Sequence, residues 1–560
     1  MVSWQFMLPF HLVMCYNKRN EGGISMATIV HQTDKRTGIT YAYESASYWD
    51  KEKKQSRAKR KLIGKVDPAT GNVVPTRKRK AKEAERLKNP GPVPAECVKR
   101  SFYGATYLLD QIGEKLGIKE DLKRCFPDRY QQILSVAYYL ILEDKSPLSR
   151  FPKWAALHKH PYDKDIPSQR SSELFASISE DERYQFFCLQ GRRRTEKEYL
   201  AYDTTSISSY SKGLKQVRYG YNKEGDYLPQ INLALLFGEE SNLPFYYRKL
   251  PGNIADVKTI KNLIADMDFL EYKKIKIVMD RGFYSEENIN ALFQNHLKFL
   301  MSAKLSLTFV KNELNKVRED MRTWTNYSQK YELYALTQSI RWTYSQKRPY
   351  KGDTLAGERR MYLHLYFNSE RALEDEKEFN IKLINLQEEL VSGKRRTEHE
   401  KLYAKYFGIS STPARGIKVT ARQTAIDDAK KNYGFFALIS NEIKDPITAL
   451  EIYRNKDLVE KAFGNLKERL NMRRLLVSSD ASLDGKLFVQ FIALIFLSYL
   501  KKQMQDNDLF KKHTMQGLLD EFDVIECYHQ PGAKLRVGEV TQRQMDLYNK
   551  VGVTHPTSLQ

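Results

Sequence analysis

At 560 residues the chain is too long for one simple core. Its 41% hydrophobic and 29% charged residues argue against a disordered or membrane-embedded polypeptide. Against 69 Asp and Glu stand 92 Lys and Arg, a formal charge of +23 that repels itself unless a polyanion neutralises it, and nucleic acid is the commonest such partner. Five cysteines with no Cys-x-x-Cys pair and ten unclustered histidines speak against a zinc ribbon, a disulfide framework and a histidine metal site.

Residues 1–25 are apolar but lack a basic stretch before the apolar run and a small-residue cleavage site, so they read as a doubtful extension rather than a signal peptide, and Met26 opens a more ordinary soluble sequence. Residues 26–95 carry the basic runs KEKKQSRAKRK from Lys51 and RKRKAKEAERLK from Arg77, then NPGPVP from Asn89. They are expected to form a solvated, DNA-binding arm. From 96 to 195 the pattern is helical, with YQQILSVAYYLIL from Tyr130 as a buried helix and a turn plus helix pair from Ser168. This region is a candidate for DNA-end binding, and a plain helical packing domain is the alternative.

At about 196 the character changes. Strands are expected around EYLAYDTTSISSYS, YLPQINLALLFG and LPFYYRKLPG, then a helix from Asp256, the strand KKIKIVMD, a helix from Ser285 and the strand LKFLMSA. Three strands, then helix, strand, helix, strand is the order of a ribonuclease H-like α/β core, here spanning 196–304. The stretch 305–430 reads as a β-containing insertion, after which 431–505 resumes the core with the strand YGFFALIS and a long helix from Pro446 to Leu470. LFVQFIALIFLSYL from Leu487 is too short for a membrane span and is expected to be a buried helix. Residues 506–560 are expected to be helical.

Acidic residues at strand ends are candidates for chemistry, because loops there let side chains converge. Asp203 follows Leu-Ala-Tyr in a β segment, and Asp280 ends Ile-Lys-Ile-Val-Met. On a helix, Tyr453, Lys456, Glu460 and Lys467 fall at roughly 0°, −60°, −20° and −40°, one stripe about 60° wide beside an apolar face. Spacing alone also permits an ordinary amphipathic helix with i,i+4 charge pairs.

Three segments together resemble bacterial insertion-sequence transposases of the DDE class, the IS-four-like group. They are YDTTSIS around Asp203, VMDRGFYSEENI around Asp280, and Tyr453-x-x-Lys456-x-x-x-Glu460 followed by Lys467. The group has Arg where Lys456 stands; Lys keeps the charge without the bidentate fork.

The resemblance implies a catalytic triad of Asp203, Asp280 and Glu460 holding two Mg²⁺ ions, with Mn²⁺ as a substitute. Tyr453, Lys456, Lys467 and Arg281 are then expected on DNA phosphates, although a core salt bridge is an equal alternative for Arg281. It further implies cleavage at terminal inverted repeats, joining of 3′ ends to target DNA, a dimer on double-stranded DNA, no membrane, and a cytoplasmic, nucleoid-associated location. Two other readings remain open: a ribonuclease H-fold nuclease that cuts without joining, and a non-catalytic DNA-binding protein derived from a transposase.

Overall fold

The computed structural model describes residues 28–50, 55–74, 76, 98–194, 198–211, 213–272, 275–347, 354–412, 416–530 and 532–557. The N-terminal extension, the alternative start at Met26, the run from Arg77 and the NPGPVP punctuation lie outside them. The chain divides into two compact units, Met1–Pro92 and Val93–Gln560.

In the first unit, β1 (Thr28–Thr33), β2 (Thr40–Asp50), β3 (Gln55–Val66) and β4 (Val73–Val74) form an antiparallel sheet in chain order. Two of its turns, Asp-Lys-Arg-Thr-Gly and Asp-Pro-Ala-Thr-Gly, use one device. The Asp carboxylate caps the turn, and Gly38 and Gly71 take φ of 70° and 67°, where a side chain would strain. The region expected as a flexible arm is therefore partly a sheet. Arg57, Lys59, Arg60, Lys61 and Lys65 all stand exposed on β3, so their charges stay hydrated and pairing with the Tyr-rich β2 meets no desolvation cost.

The second unit begins with β5 (Lys99–Phe102) and six helices: α1 (Gly104–Lys115), α2 (Ile118–Cys125), α3 (Tyr130–Leu142), α4 (Phe151–Leu157), α5 (Ser168–Ser177) and α6 (Glu180–Arg194). Every residue of α3 from Ile133 to Leu142 is buried, as its uniformly apolar sequence requires.

The central sheet follows, from β6 (Tyr199–Ser209), β7 (Gln230–Gly238) and β8 (Pro244–Pro251) through α7 (Thr259–Phe269), β9 (Lys276–Met279), α8 (Glu286–Gln294) and β10 (Lys298–Ala303). Its order here is β8-β7-β6-β9-β10. The first three strands are antiparallel, while β9 runs parallel to both β6 and β10. Helix α9 (Thr308–Val317) leads to β11 (Tyr327–Ser328) and to the long hairpin of β12 (Leu333–Lys347) and β13 (Thr354–Phe367).

The hairpin departs from the expected insertion. Its strand β13 pairs with β16 (Phe435–Ser440), which pairs in turn with β10, so residues 327–367 extend the core sheet instead of leaving it. What stands apart is α10 (Ser369–Val391), α11 (Glu400–Tyr406), β14 (Phe407–Thr412), β15 (Gly416–Ala421) and α12 (Gln423–Lys430), around a small core of its own that includes Leu386, Leu390, Tyr403 and Ile426.

After β16 come α13 (Pro446–Asn455), α14 (Asp457–Gly464) and a π-helical turn, Asn465–Arg469. The strand β17 (Arg474–Leu475) then pairs in parallel with Ser208 and Ser209 of β6. Helix α15 (Asp480–Asp506) is long and apolar enough to cross a membrane, but 89% of its apolar window is buried inside the fold, packed on α3 and α5. The C-terminal region is not all helix. Between α16 (Met515–Asp523) and α17 (Gln542–Lys550) lie β18 (Glu526–His529) and β19 (Arg536–Val537), and β18 pairs with β5 from the start of the unit.

Candidate active site

The parallel pairing of β6 with β9 sets Tyr202 opposite Met279. The next residue on each chain is an aspartate, Asp203 and Asp280, so the register brings these two acids side by side. On that border β9 accompanies β6 only as far as Tyr202, and β17 joins it only at Ser208. Among the described residues the sheet thus parts between 203 and 207, and α14 packs against β6 and β7 nearby. The carboxylates stand at this parting.

Asp203 is half-buried. Burial raises its pKa, opposed by the Lys223 ammonium, the Thr204 N–H and Lys456. Its Oδ1 accepts the Thr204 N–H at 2.8 Å and lies 3.6 Å from Lys223 Nζ. Asp280 accepts the Arg281 N–H at 2.7 Å and the Tyr453 hydroxyl at 2.9 Å, both on Oδ1. Burial, with the Asp280 charge, pushes the Tyr453 phenol well above its ordinary range, which keeps it a donor.

Glu460 lies on α14, its side chain 59% exposed, and accepts from Lys456 Nζ at 3.0 Å. Lys456 is the junction of the site. Its side chain is buried and its ammonium is attracted by Glu460, Asp280 and Asp203. Burial alone would pull its pKa down, but those three acids more than offset that and raise it.

Sequence spacing puts Tyr453, Lys456, Glu460 and Lys467 on one stripe; the structure joins Lys456 to Glu460 and sets it over the Tyr453 ring, and gives Lys467 another partner. The expected single helix breaks at Lys456 and widens into the π turn after Gly464, which changes the rotation per residue. Lys467 is buried and donates at 2.6 Å to Glu224 of the β6–β7 loop. Arg281 is exposed and makes no ion pair among the described residues, so the core salt bridge considered for it is not formed.

Two groups escaped the sequence reading. Lys223 donates to the Thr204 carbonyl at 2.7 Å and pairs with Asp256 at 3.0 Å, and Asp256 also accepts from the Thr204 hydroxyl. Asp256 follows the third strand in Pro-Gly-Asn-Ile-Ala-Asp, an acid beyond a strand end like Asp280. Lys223 sits in a loop with no periodicity, and nothing in the sequence marked it.

A sequence profile for the transposase DDE domain matches residues 194–496. The chain belongs to the transposase DDE domain family. The DDE domain so defined runs from the end of α6 into α15 and holds Asp203, Asp280, Glu460 and their partners. No curated protein matches the chain. Among solved structures, a piggyBac transposase synaptic complex with hairpin DNA is similar at 9% identity and a TM-score of 0.34, over 75% of this chain and 76% of that one, too distant to add to the family match.

The DDE domain's donor set is oxygen-only, which suits a hard cation. Lys456 shows that positive charge is accommodated among the three acids. Among the described residues, no three His, Cys, Asp or Glu side chains converge closely enough to hold one ion, and Glu460, facing solvent, is the member that stands apart.

Proposed function

We propose that the protein is a DNA transposase that binds the terminal inverted repeats of its own element, cleaves there and joins the freed 3′ ends to target DNA. Asp203, Asp280 and Glu460 would hold the metal, with Mg²⁺ preferred and Mn²⁺ a substitute. The site acts on double-stranded DNA in a dimer, in the cytoplasm at the nucleoid. The observation that supports this most is the pairing that sets Asp203 and Asp280 on adjacent positions of neighbouring parallel strands. The strand order third-second-first-fourth-fifth within the DDE domain supports a ribonuclease H-like core.

Divalent ions held by Asp203, Asp280 and Glu460 would supply activation of the attacking oxygen and charge stabilisation of the leaving oxygen. The chain's own groups do the rest. The Tyr453 hydroxyl and the Arg281 N–H fix the Asp280 carboxylate. Lys456 offsets the mutual repulsion of three acids. The exposed Arg281 guanidinium, and on β3 the exposed Lys59, Lys61 and Lys65, would meet backbone phosphates.

The test uses the full chain with Mg²⁺, labelled duplexes from the ends of the DNA flanking its gene, and a target plasmid. Cleaved and joined products are expected. Asp203→Asn, Asp280→Asn and Glu460→Gln are each expected to slow cleavage by several kcal/mol with DNA affinity retained. Cleavage without joining would identify a nuclease, and metal-independent binding alone would leave only a DNA-binding protein.

A further inference from the structure

A cavity of about 260 Å³ opens between the helical region and the last part of the DDE domain, well apart from the three acids. Its walls come from α5, from α15, and from residues at both ends of the segment 470–477. Lys486 is the one ionisable group lining it, and it makes no ion pair or hydrogen bond among the described residues. An unpaired ammonium enclosed without a carboxylate is costly and calls for an anion.

The remaining lining fits the same demand. Ser149 and Ser168 contribute hydroxyls, while those of Ser171 and Ser172 donate to the Ser168 carbonyl. Helix α5 begins at this wall with no side-chain cap and no acidic residue in its first turn, so its leading N–H groups and its positive end are available to an anion. Gln490 gives a second, independent sign. It is 1% exposed and uses its amide N–H to bond the Leu470 carbonyl at 2.7 Å, yet its Oε1 is buried without a partner. Buried polar atoms are nearly always satisfied, so this oxygen awaits a hydrogen from whatever fills the cavity.

We propose that this cavity is a phosphate-binding site, in which Lys486, the α5 N-terminus and the Ser149 and Ser168 hydroxyls take the anionic oxygens and Gln490 Oε1 accepts from a hydroxyl or water carried with them. Burial alone draws the Lys486 ammonium down to about 8, which a bound anion reverses. The phosphate can come from a DNA backbone or from a free phosphate compound. The site stands independently of the catalytic reading, since none of its groups touches Asp203, Asp280 or Glu460.

The experiment takes the full chain, K486M, and S172D, which places a carboxylate at the exposed mouth while leaving Lys486 in place. One arm titrates inorganic phosphate at fixed ionic strength by calorimetry. The other measures binding of a short duplex against salt. Either variant is expected to weaken phosphate binding at least about tenfold, the effect of losing one desolvated charged contact. If the source is DNA, K486M also lowers the salt slope by about one. If the source is a free phosphate compound, the slope is unchanged while phosphate binding is lost. Folded variants that match the wild type in both arms would overturn the proposal, and S172D decides it if K486M does not fold.

Discussion

Replacing Tyr453 by Phe separates two roles for that residue. The structure gives its hydroxyl to Asp280 Oδ1 at 2.9 Å, with the ring packed against apolar neighbours. Phe keeps the packing and removes only the donor. A hydrogen bond to a charged group contributes about 1.5–3 kcal/mol. Asp280 retains the Arg281 N–H and is only half-buried, so the lower end applies. A loss of about 1.5–2 kcal/mol corresponds to roughly a ten- to thirtyfold slower cleavage step. Single-turnover cleavage at saturating protein reads this directly, and a salt series of DNA affinities runs beside it. An orienting hydroxyl slows cleavage and leaves the salt slope alone. Unchanged cleavage at saturation, with weaker DNA binding, would refute the reasoning and return Tyr453 to a phosphate contact.

Breaking the Lys467–Glu224 pair should be asymmetric. Glu224→Gln strands a buried ammonium and is expected to cost about 1–3 kcal/mol, more than Lys467→Met, which leaves Glu224 able to rehydrate; urea midpoints of the two variants check this, and Lys467→Met should leave the salt slope of DNA binding intact. Lys486→Met should stabilise the phosphate-free protein by on the order of 3 kcal/mol at pH 7, because the folded pKa lies near 8 against 10.5 for an ordinary lysine. Since the folded state binds fewer protons between those values, the wild type gains stability as pH rises from 8 to 10.5 and the difference vanishes above that, which melting curves across the range will show. At Gly485 an added Cβ would meet the Phe175 carbonyl oxygen at 2.0 Å, so Gly485→Ala is expected to push α5 from α15, cost about 1–3 kcal/mol and lower the melting temperature.

Apolar strand runs made β6, β7, β9 and β10 legible, because each is buried on both faces and its composition says so. Asp280 was legible as a strand-end acid for the same reason, whereas Asp203, expected at a strand end, sits inside β6 where the pairing with β9 stops. Helical spacing found Tyr453, Lys456 and Glu460, where four residues per step tolerate small errors of rotation. Between Glu460 and Lys467 the helix widens into a π turn, a change of rotation that spacing does not reveal. The hairpin of β12 and β13 was visible as strands, but which sheet it joins depends on β16, about seventy residues beyond its end, and periodicity carries no such information. Lys223 and Asp256 matter through a partner more than thirty residues away and were equally hidden.

On one border β6 is bonded to β7 from Leu200 to Ser208, while on the other the ladder is interrupted over Asp203–Ile207. The strand that carries the first acid is thus stitched along a single seam where the chemistry would occur. A small sideways shift of Asp203 has no ladder bond to break on the interrupted border, and only its pairing with Leu235 of β7 has to follow. Lys223, held on the Thr204 carbonyl, and Asp256, bonded to the Thr204 hydroxyl, tie the residue next to the acid, so both side chains bear on how far Asp203 can travel.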